Sequence, residues 1–356
     1  MKFVHIADVH LGAVPDSGKA WGTLREKEIW SSFQKIIHIC NKEKVQLLLI
    51  AGDLFHKQPL LRELKELNYL FGTLETAQVV FMAGNHDYIA ARSHYQGFQW
   101  DKRVHMFPDE KVSVFEFPEL AAAVYGFSYC SRDITEPRYD ELKPAQKDKI
   151  NILLAHGGDD RDVPMNRRKM LESGFDYMAL GHIHKPEIIS NKMAYSGSLE
   201  PIDKNELGER GYILGEIVKE PGGGSKTTIH FIPSAEREYK RVDLNVTKDT
   251  TNGSLRDQAR EIMESLGEQH IYSFRIQGLR DELIHFDPEL LKSLGNVLEA
   301  EDLSIPDYDF EALSRENEGN LIGLFIQKVL ESAEGDEIAK KALYYGLEAL
   351  LGSKNP

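Results

Sequence analysis

The feature that most constrains this chain is a set of five short polar clusters, each of which directly follows a short run of apolar residues. The runs have the length and composition of buried β-strands, and amphipathic helical patterns separate several of them. The clusters are Asp8-Val9-His10, Gly52-Asp53-Leu54-Phe55-His56, Gly84-Asn85-His86-Asp87, Ala155-His156-Gly157 and Gly181-His182-Ile183-His184. This pattern predicts a layered α/β domain in which the clusters lie beyond the carboxyl ends of the strands.

Periodicity predicts where the elements of this domain lie. The expected strands cover residues 2–7, 45–51, 79–83, 122–126, 150–155 and 177–181, and a helix is expected over 26–41. Two further strands, at 211–218 and 226–232, flank a glycine-rich segment and are expected to form a hairpin. Since a helix does not follow this glycine run, we interpret it as a turn and not as a phosphate-binding loop.

Taken one at a time, the clusters indicate little. Asp8 and His10 fit an ordinary turn after a strand, His156 alone is more typical of a structural histidine, and Gly84-Asn85-His86-Asp87 fits a tight turn. Taken together, they are expected to bring two carboxylates, a carboxamide and several imidazoles to one end of one sheet. Packing does not require so many polar groups at one place, so the joint interpretation is a metal centre.

The spacing within the clusters supports a site for two metal ions. Residues at i and i+2 of an extended segment point to the same side, so Asp8 and His10 can chelate one ion, as can His182 and His184. Asp53 has two oxygens and can bridge two ions about 3.5–4 Å apart. The chain has two cysteines without paired spacing, so the ligands are nitrogen and oxygen, which favours two divalent ions of the manganese or iron type, with manganese first.

In this order, the five clusters resemble the calcineurin-like metallophosphoesterase superfamily. Gly52-Asp53-Leu54-Phe55-His56 and Gly181-His182-Ile183-His184 resemble its SbcD branch, the DNA double-strand-break-repair exonucleases. Ala194-Tyr195-Ser196-Gly197-Ser198 and Glu209-Arg210-Gly211-Tyr212 resemble the segment that closes that family's phosphoesterase domain. The resemblance covers about residues 1–232 and implies a β-sandwich flanked by helices, followed by a small α+β capping domain and a C-terminal helical hairpin.

The resemblance also implies roles for individual residues. Asp8, His10, Asp53 and His184 would hold one metal, and Asp53, Asn85, His156 and His182 the other, with a metal-bound hydroxide attacking the phosphodiester. His86 would protonate the leaving oxygen. Asp87 would orient an imidazole and His56 would contact the phosphate, each with a structural role as an equal alternative. DNA is the implied substrate, and an SbcC-type coiled-coil ATPase is the implied partner.

We predict three domains: the nuclease domain at 1–234, the capping domain at 235–300, and an acidic connector with C-terminal helices at 301–356. The last segment contains twelve acidic and five basic residues of a chain with net charge −14. Its apolar helix stripes fit either packing on the capping domain or binding to a partner. A leucine-rich helix at residues 61–74 likewise fits either a homodimer or ordinary core packing.

Composition excludes several other classes of protein. An acidic chain does not coat nucleic acid through a broad basic surface, although two bound cations would let it act on DNA. A signal peptide and an apolar run of membrane-spanning length are absent from the sequence, so we expect a cytoplasmic protein without membrane contacts.

Two other functions stay open at this stage. The ligands alone also fit a phosphatase or a cyclic-nucleotide phosphodiesterase of the same superfamily. A protein phosphatase is disfavoured, since Asp53-Leu54-Phe55-His56 stands where that branch has an Asp-x-x-Asp-Arg-Gly run. A non-catalytic scaffold that tethers DNA ends is the second alternative, and the complete ligand set together with His86 argues against it.

Overall fold

A computed structural model describes residues 1–146, 148–221, 224–332 and 337–352. The chain divides into two compact units, Met1–Tyr239 and Lys240–Pro356. The division into three domains at 234 and 300 stays a prediction.

The first unit alternates strands and helices, as the periodicity predicts. Its elements are β1 (Lys2–Ile6), α1 (Gly22–Lys42), β2 (Leu47–Ala51), α2 (Leu61–Gly72), β3 (Gln78–Met82), β4 (Val104–Met106), β5 (Ser113–Phe117), β6 (Ala122–Gly126), β7 (Ile150–His156), α3 (Arg167–Leu171), β8 (Tyr177–Gly181), β9 (Glu187–Ser190), β10 (Met193–Tyr195), β11 (Gly211–Lys219) and β12 (Ser225–Pro233). Each predicted strand and the predicted helix is confirmed to within a few residues, and β11 and β12 form the expected antiparallel hairpin.

These strands form two six-stranded sheets. The first has the order β12-β11-β1-β2-β3-β4, and the second has the order β5-β6-β7-β8-β10-β9. In the first sheet β1 to β4 run parallel, and in the second β6, β7, β8 and β10 do so. The carboxyl ends of β1, β2 and β3 therefore lie together in one sheet, and those of β7 and β8 lie together in the other.

Apolar side chains between the two sheets form one continuous core, which includes Phe3, Leu49, Val80, Val124 and Ile152. On the outer face of the first sheet α1 buries an apolar stripe at helical spacing, together with α2. The result is a β-sandwich flanked by helices, so the fold class implied by the resemblance is confirmed.

The placement of all five polar clusters at one end of a single sheet is wrong. Three clusters follow strands of the first sheet and two follow strands of the second. A succession of strands and helices does not reveal where one sheet stops and the next begins. The sandwich brings the two sets of strand ends together: a Cβ built on Gly181, at the end of β8, would lie 1.9 Å from the carbonyl oxygen of Ala51, at the end of β2.

The second unit combines a small sheet with helices. Its elements are β13 (Tyr239–Val246), α4 (Asn252–Leu266), β14 (Ile271–Arg280), α5 (Pro288–Lys292), β15 (Val297–Asp302), β16 (Ile305–Pro306), α6 (Phe310–Glu316), α7 (Leu321–Ser332) and α8 (Glu337–Gly352). The sheet has the order β13-β14-β15, with β16 paired to β14. One apolar cluster packs α4 and α5 against this sheet, and a second joins α7 and α8 around Ile326 and Leu347.

Within the described residues, no helix combines the length and the hydrophobicity that crossing a bilayer requires.

Candidate metal centre

The five polar clusters occupy the strand ends at which the sequence places them. Asp8 and His10 follow β1, Asp53 follows β2, Asn85 follows β3, His156 is the last residue of β7, and His182 and His184 follow β8. All of these residues are buried or half-buried. The hydrogen-bonded strands fix the backbone immediately before each cluster. The polar side chains are therefore attached to rigid backbone where the ends of the two sheets meet.

The backbone at four of these residues is in the left-handed region. The φ angles are 49° at Asp8, 52° at His10, 50° at Asp53 and 93° at His182. Non-glycine residues seldom adopt such angles, and the surrounding structure must compensate for the cost of about 1–3 kcal/mol at each one. The concentration of this strain at one edge of the sandwich is typical of a functional site.

Close approach of the chains explains the glycines in two of the clusters. A Cβ at Gly84 would lie 2.2 Å from Asp53 Oδ1 and 2.8 Å from His156 Nε2. Gly181 is equally close to the end of β2, where the carbonyl oxygen of Ala51 lies. A side chain at Gly84 would therefore displace residues of the site itself, and a side chain at Gly181 would push the end of β8 away from the end of β2.

One group of candidate ligand atoms comes from Asp8, His10 and His184, all within 4.8 Å of one another. The Nε2 atoms of His10 and His184 are 3.0 Å apart. His184 Nδ1 donates to the carboxylate of Glu206 at 2.6 Å, so in the neutral ring Nε2 carries the lone pair that faces His10. Burial holds the pKa of His10 well below its ordinary value, which keeps that ring neutral.

A second group comes from Asp8, Asp53 and His156, also within 4.8 Å. His156 Nδ1 donates to the carbonyl oxygen of Ala51 at 2.8 Å. Its Nε2 atom lies 2.9 Å from Asn85 Oδ1 and 3.5 Å from Asp53 Oδ2. Asp8 belongs to both groups, so the two groups adjoin.

The electrostatics of the second group show that it needs a positive charge. Burial alone would lower the pKa of His156, but the carboxylates of Asp53 and Asp8 outweigh burial and raise this pKa to about 9. Burial would raise the pKa of Asp53, yet His156 and His10 hold it well below its ordinary range. A protonated His156 thus balances buried carboxylates without a metal. Nitrogen and oxygen donors around these buried carboxylates fit a divalent cation in place of that proton.

His182 contacts both the site and the loop after β7. Its backbone N–H lies 3.0 Å from each oxygen of Asp8, and its ring meets the ring of His156 edge to face at 5.3 Å between centroids. Its Nε2 atom donates to Asp159 Oδ2 at 2.9 Å and lies 3.7 Å from Asp162. In the neutral ring that donates through Nε2, the lone pair is on Nδ1. His182 also forms a further group of candidate ligand atoms with Asp159 and Asp162, all within 4.8 Å of one another.

Of the predicted catalytic residues, His86 and His56 lie beside the first group. The ring nitrogens of His10, His56 and His86 form a further set within 4.8 Å. The backbone N–H of His86 donates to Asp53 Oδ1 at 2.9 Å, and its Nδ1 donates to the carbonyl oxygen of His56 at 3.1 Å. Burial and then the neighbouring His86 lower the pKa of His56.

Asp87 is fully buried and holds the loop that carries Asn85 and His86. Its Oδ1 accepts from the backbone N–H of Gly84 at 2.8 Å. Its Oδ2 accepts from the backbone N–H of Phe55 at 3.1 Å and from the Tyr95 hydroxyl at 2.8 Å. These contacts fit the structural alternative, and the imidazole-orienting role of Asp87 stays a prediction.

Sequence reasoning missed the acids that contact the two histidines of the last cluster. Asp159 and Asp162 lie just after His156, so an acidic run beside a candidate ligand was an available signal. Glu206 lies 22 residues from His184 in sequence, outside any local motif. Tyrosines around the backbone of His156 were also missed: the hydroxyl of Tyr129 donates to its carbonyl oxygen at 2.9 Å.

Comparison with known proteins identifies the family of this chain. Residues 1–186 match the family model of the calcineurin-like phosphoesterases. This match covers more than half of the chain, so the chain belongs to the calcineurin-like phosphoesterase family. The resemblance of the five polar clusters to this superfamily is therefore confirmed.

Relatives within the family include proteins of two descriptions. The uncharacterized metallophosphoesterase YhaO of Bacillus subtilis is 30% identical over 60% of this chain and 57% of its own length. The DNA double-strand break repair protein Mre11 of Aeropyrum pernix is 30% identical over 69% of this chain and 64% of its own length. The Mre11 protein of Methanocaldococcus jannaschii is 31% identical over 58% of each chain. The chain thus spans less than two thirds of the length of these relatives.

Proposed function

We propose that this protein is a two-metal-dependent DNA nuclease of the SbcD type, which hydrolyses phosphodiester bonds during DNA end processing and repair. The observation that carries the proposal is the convergence of nitrogen and oxygen side chains from two sheets at one strained edge. Similarity to proteins described as DNA double-strand break repair proteins supports DNA as the substrate.

The proposed ligands fall into two sets that share Asp53. The first set is Asp8, His10, Asp53 and His184, and the second is Asp53, Asn85, His156 and His182. The two adjoining groups of donor atoms support two neighbouring ions, and the distances from Asp53 Oδ2 to His10 Nε2 (4.0 Å) and to His156 Nε2 (3.5 Å) support a shared role for Asp53. The contacts of His184, His156 and His182 with Glu206, Ala51 and Asp159 each leave one ring nitrogen for a metal. The absence of thiolates from the donor set favours manganese.

Two bound divalent ions would supply charge neutralisation at the phosphate and a water acidified for attack on phosphorus. The chain's own contribution is to hold the ligands rigidly and to manage protons. His86 is anchored through its backbone N–H and its Nδ1, which leaves Nε2 free to protonate the leaving oxygen. His56 stands beside it with a lowered pKa, so its neutral ring can contact a phosphate oxygen.

The substrate is best tested by comparing the rate of hydrolysis of linear DNA with that of small phosphoesters. We expect kcat/KM with manganese for linear DNA to exceed that for bis(p-nitrophenyl) phosphate by on the order of 10²-fold, because flanking nucleotides add binding energy that is used in the transition state. Cyclic nucleotides and p-nitrophenyl phosphate should be poorer still. The substrates are assayed in parallel with manganese, magnesium and zinc.

The same assay separates the alternatives. Preference for a cyclic nucleotide or a monoester over DNA would replace the nuclease proposal by a small-molecule phosphodiesterase or phosphatase. Binding of DNA ends without hydrolysis of any ester under any of the three metals would instead support a non-catalytic scaffold. The His86→Ala protein, purified in the same way, controls for contaminating nucleases.

We further propose that α7 and α8 bind a coiled-coil ATPase of the SbcC type. The two helices bury Ile322, Ile326 and Leu347 against each other, but Leu321 and Leu324 of α7 are 68% and 54% exposed. Part of the apolar stripe therefore packs within the unit, and part stays open to solvent. Exposed apolar residues on a helix suit docking against a partner helix.

This partner proposal predicts a selective loss of association. Changing both Leu321 and Leu324 to glutamate should weaken co-purification with the ATPase at least about tenfold, because two buried charges would replace apolar contacts. Hydrolysis of the small diester should not change. Leu24→Glu, at a 47% exposed leucine of the first unit, is the matched control. Undiminished co-purification of the double variant would mean that the partner binds elsewhere.

A further inference from the structure

The two histidines of the Gly181-His182-Ile183-His184 cluster each donate to a carboxylate from a different loop. His184 Nδ1 meets Glu206 Oε1 at 2.6 Å, and His182 Nε2 meets Asp159 Oδ2 at 2.9 Å. The acids lie on opposite sides of the cluster in sequence, and Asp159 is 47% exposed whereas Glu206 is 15% exposed. Two adjacent ligand histidines are thus held by independent contacts.

The second oxygen of each acid anchors its own loop. Glu206 Oε2 accepts from the backbone N–H of Ile202 at 2.9 Å. Asp159 Oδ1 accepts from the backbone N–H groups of Arg161 and Asp162, each at 2.8 Å. Each carboxylate therefore uses one oxygen to stay in place and the other to receive the imidazole N–H, which requires both oxygens to be acceptors.

A carboxylate on one nitrogen of an imidazole has two effects on the other nitrogen. It selects the tautomer and the orientation of the ring, and it makes the free nitrogen a stronger donor to a metal. At His184 the free nitrogen is Nε2, which faces His10 at 3.0 Å. At His182 it is Nδ1. The two histidines would therefore present different nitrogens to the metals because their acids approach from different directions.

We propose that Glu206 and Asp159 are positioning residues, each of which sets the affinity of one metal ion independently of the other. Glu206 acts through His184 on the ion of the first ligand set, and Asp159 acts through His182 on the ion of the second set. The inference rests on the two-metal site of the proposed function but not on DNA as its substrate.

The test uses full-length protein freed of metal and titrated with Mn²⁺ by calorimetry. In Glu206→Gln only one oxygen remains for two donors, so either the imidazole or the Ile202 N–H loses its acceptor. We expect the affinity for one of the two Mn²⁺ ions to fall about 10–100-fold while the other stays unchanged. Electron paramagnetic resonance at one equivalent of Mn²⁺ should show more mononuclear ion than in the wild type.

Asp159→Asn should weaken the other ion, so the double variant should weaken both. Glu209→Gln and Asp160→Asn, at exposed acids of the same two loops, are the matched controls. Hydrolysis of bis(p-nitrophenyl) phosphate should be restored in each single variant by excess Mn²⁺, which separates weakened metal binding from damaged chemistry. Thermal unfolding in EDTA checks that the metal-free variants fold, and Glu206→Ala provides a second variant.

Three outcomes would overturn the inference. One is that both affinities in the folded Glu206 variants stay within about twofold of wild type, well short of the change expected for such a partner. Another is an equal fall in both affinities with a lower melting temperature in EDTA, which assigns Glu206 to loop stability alone. The third is that the Asp159 and Glu206 variants weaken the same ion. A wild-type protein that binds fewer than two Mn²⁺ ions would instead contradict the two-metal proposal itself.

Discussion

Replacing Asp53 by alanine is expected to remove both metal ions and to reduce phosphodiester hydrolysis by about 10³-fold or more. Asp53 belongs to the second group of donor atoms and also approaches the first: its Oδ2 is 3.5 Å from His156 Nε2 and 4.0 Å from His10 Nε2. A shared carboxylate contributes to both ions, and losing two-ion stabilisation costs several kcal/mol in the transition state. Metal analysis of the purified variant and hydrolysis of bis(p-nitrophenyl) phosphate measure the two effects.

The Asp53 variant also loses the acceptor of the His86 backbone N–H. Asp53→Asn separates this structural loss from the loss of charge, because the carboxamide keeps the volume and one acceptor oxygen. Asp148→Ala removes an exposed acid elsewhere in the first unit and should retain metal and activity. Two ions per chain in the alanine variant would refute the assignment of Asp53 as the bridging ligand.

His86→Ala is expected to lower turnover without loss of metal, in contrast to Asp53→Ala. Metal content and DNA binding should persist while turnover falls roughly 10²–10⁴-fold, the usual effect of removing a general acid. The backbone N–H that donates to Asp53 remains in this variant, so the carboxylate keeps its position. Metal analysis, DNA binding and kcat with the small diester are measured across the pH range.

His94→Ala, at an exposed histidine eight residues further along, is the matched control. The ring nitrogens of His10, His56 and His86 form a cluster of their own, so a second explanation is tested at the same time. If His86→Ala loses a metal ion, His86 is a ligand. If turnover stays near normal at every pH, His86 is not the acid.

The strand ends and their chemistry could be predicted because they are local properties of the sequence. Alternation and apolar runs define β1, β2 and β7, and the polar residue that follows each strand must then lie at its carboxyl end. The family of the chain follows from the same residues. The short helix α6, the edge strands β4 and β9, and the three-residue strand β10 did not stand out in this way, because they have few residues and little periodicity.

What the sequence by itself determined is the identity of the donor side chains and the strand from which each one projects. Only the tertiary structure decided that β1 and β2 belong to one sheet and β7 and β8 to another, and that the site forms where the two sheets meet. It also decided that Asp87 accepts a hydrogen bond from the backbone of its own loop, at Gly84. Likewise, only the tertiary structure showed that Glu206 and Asp159 accept hydrogen bonds from the imidazoles of His184 and His182. The physical reason is that periodicity reports on burial within one element, whereas these contacts depend on how separate elements pack.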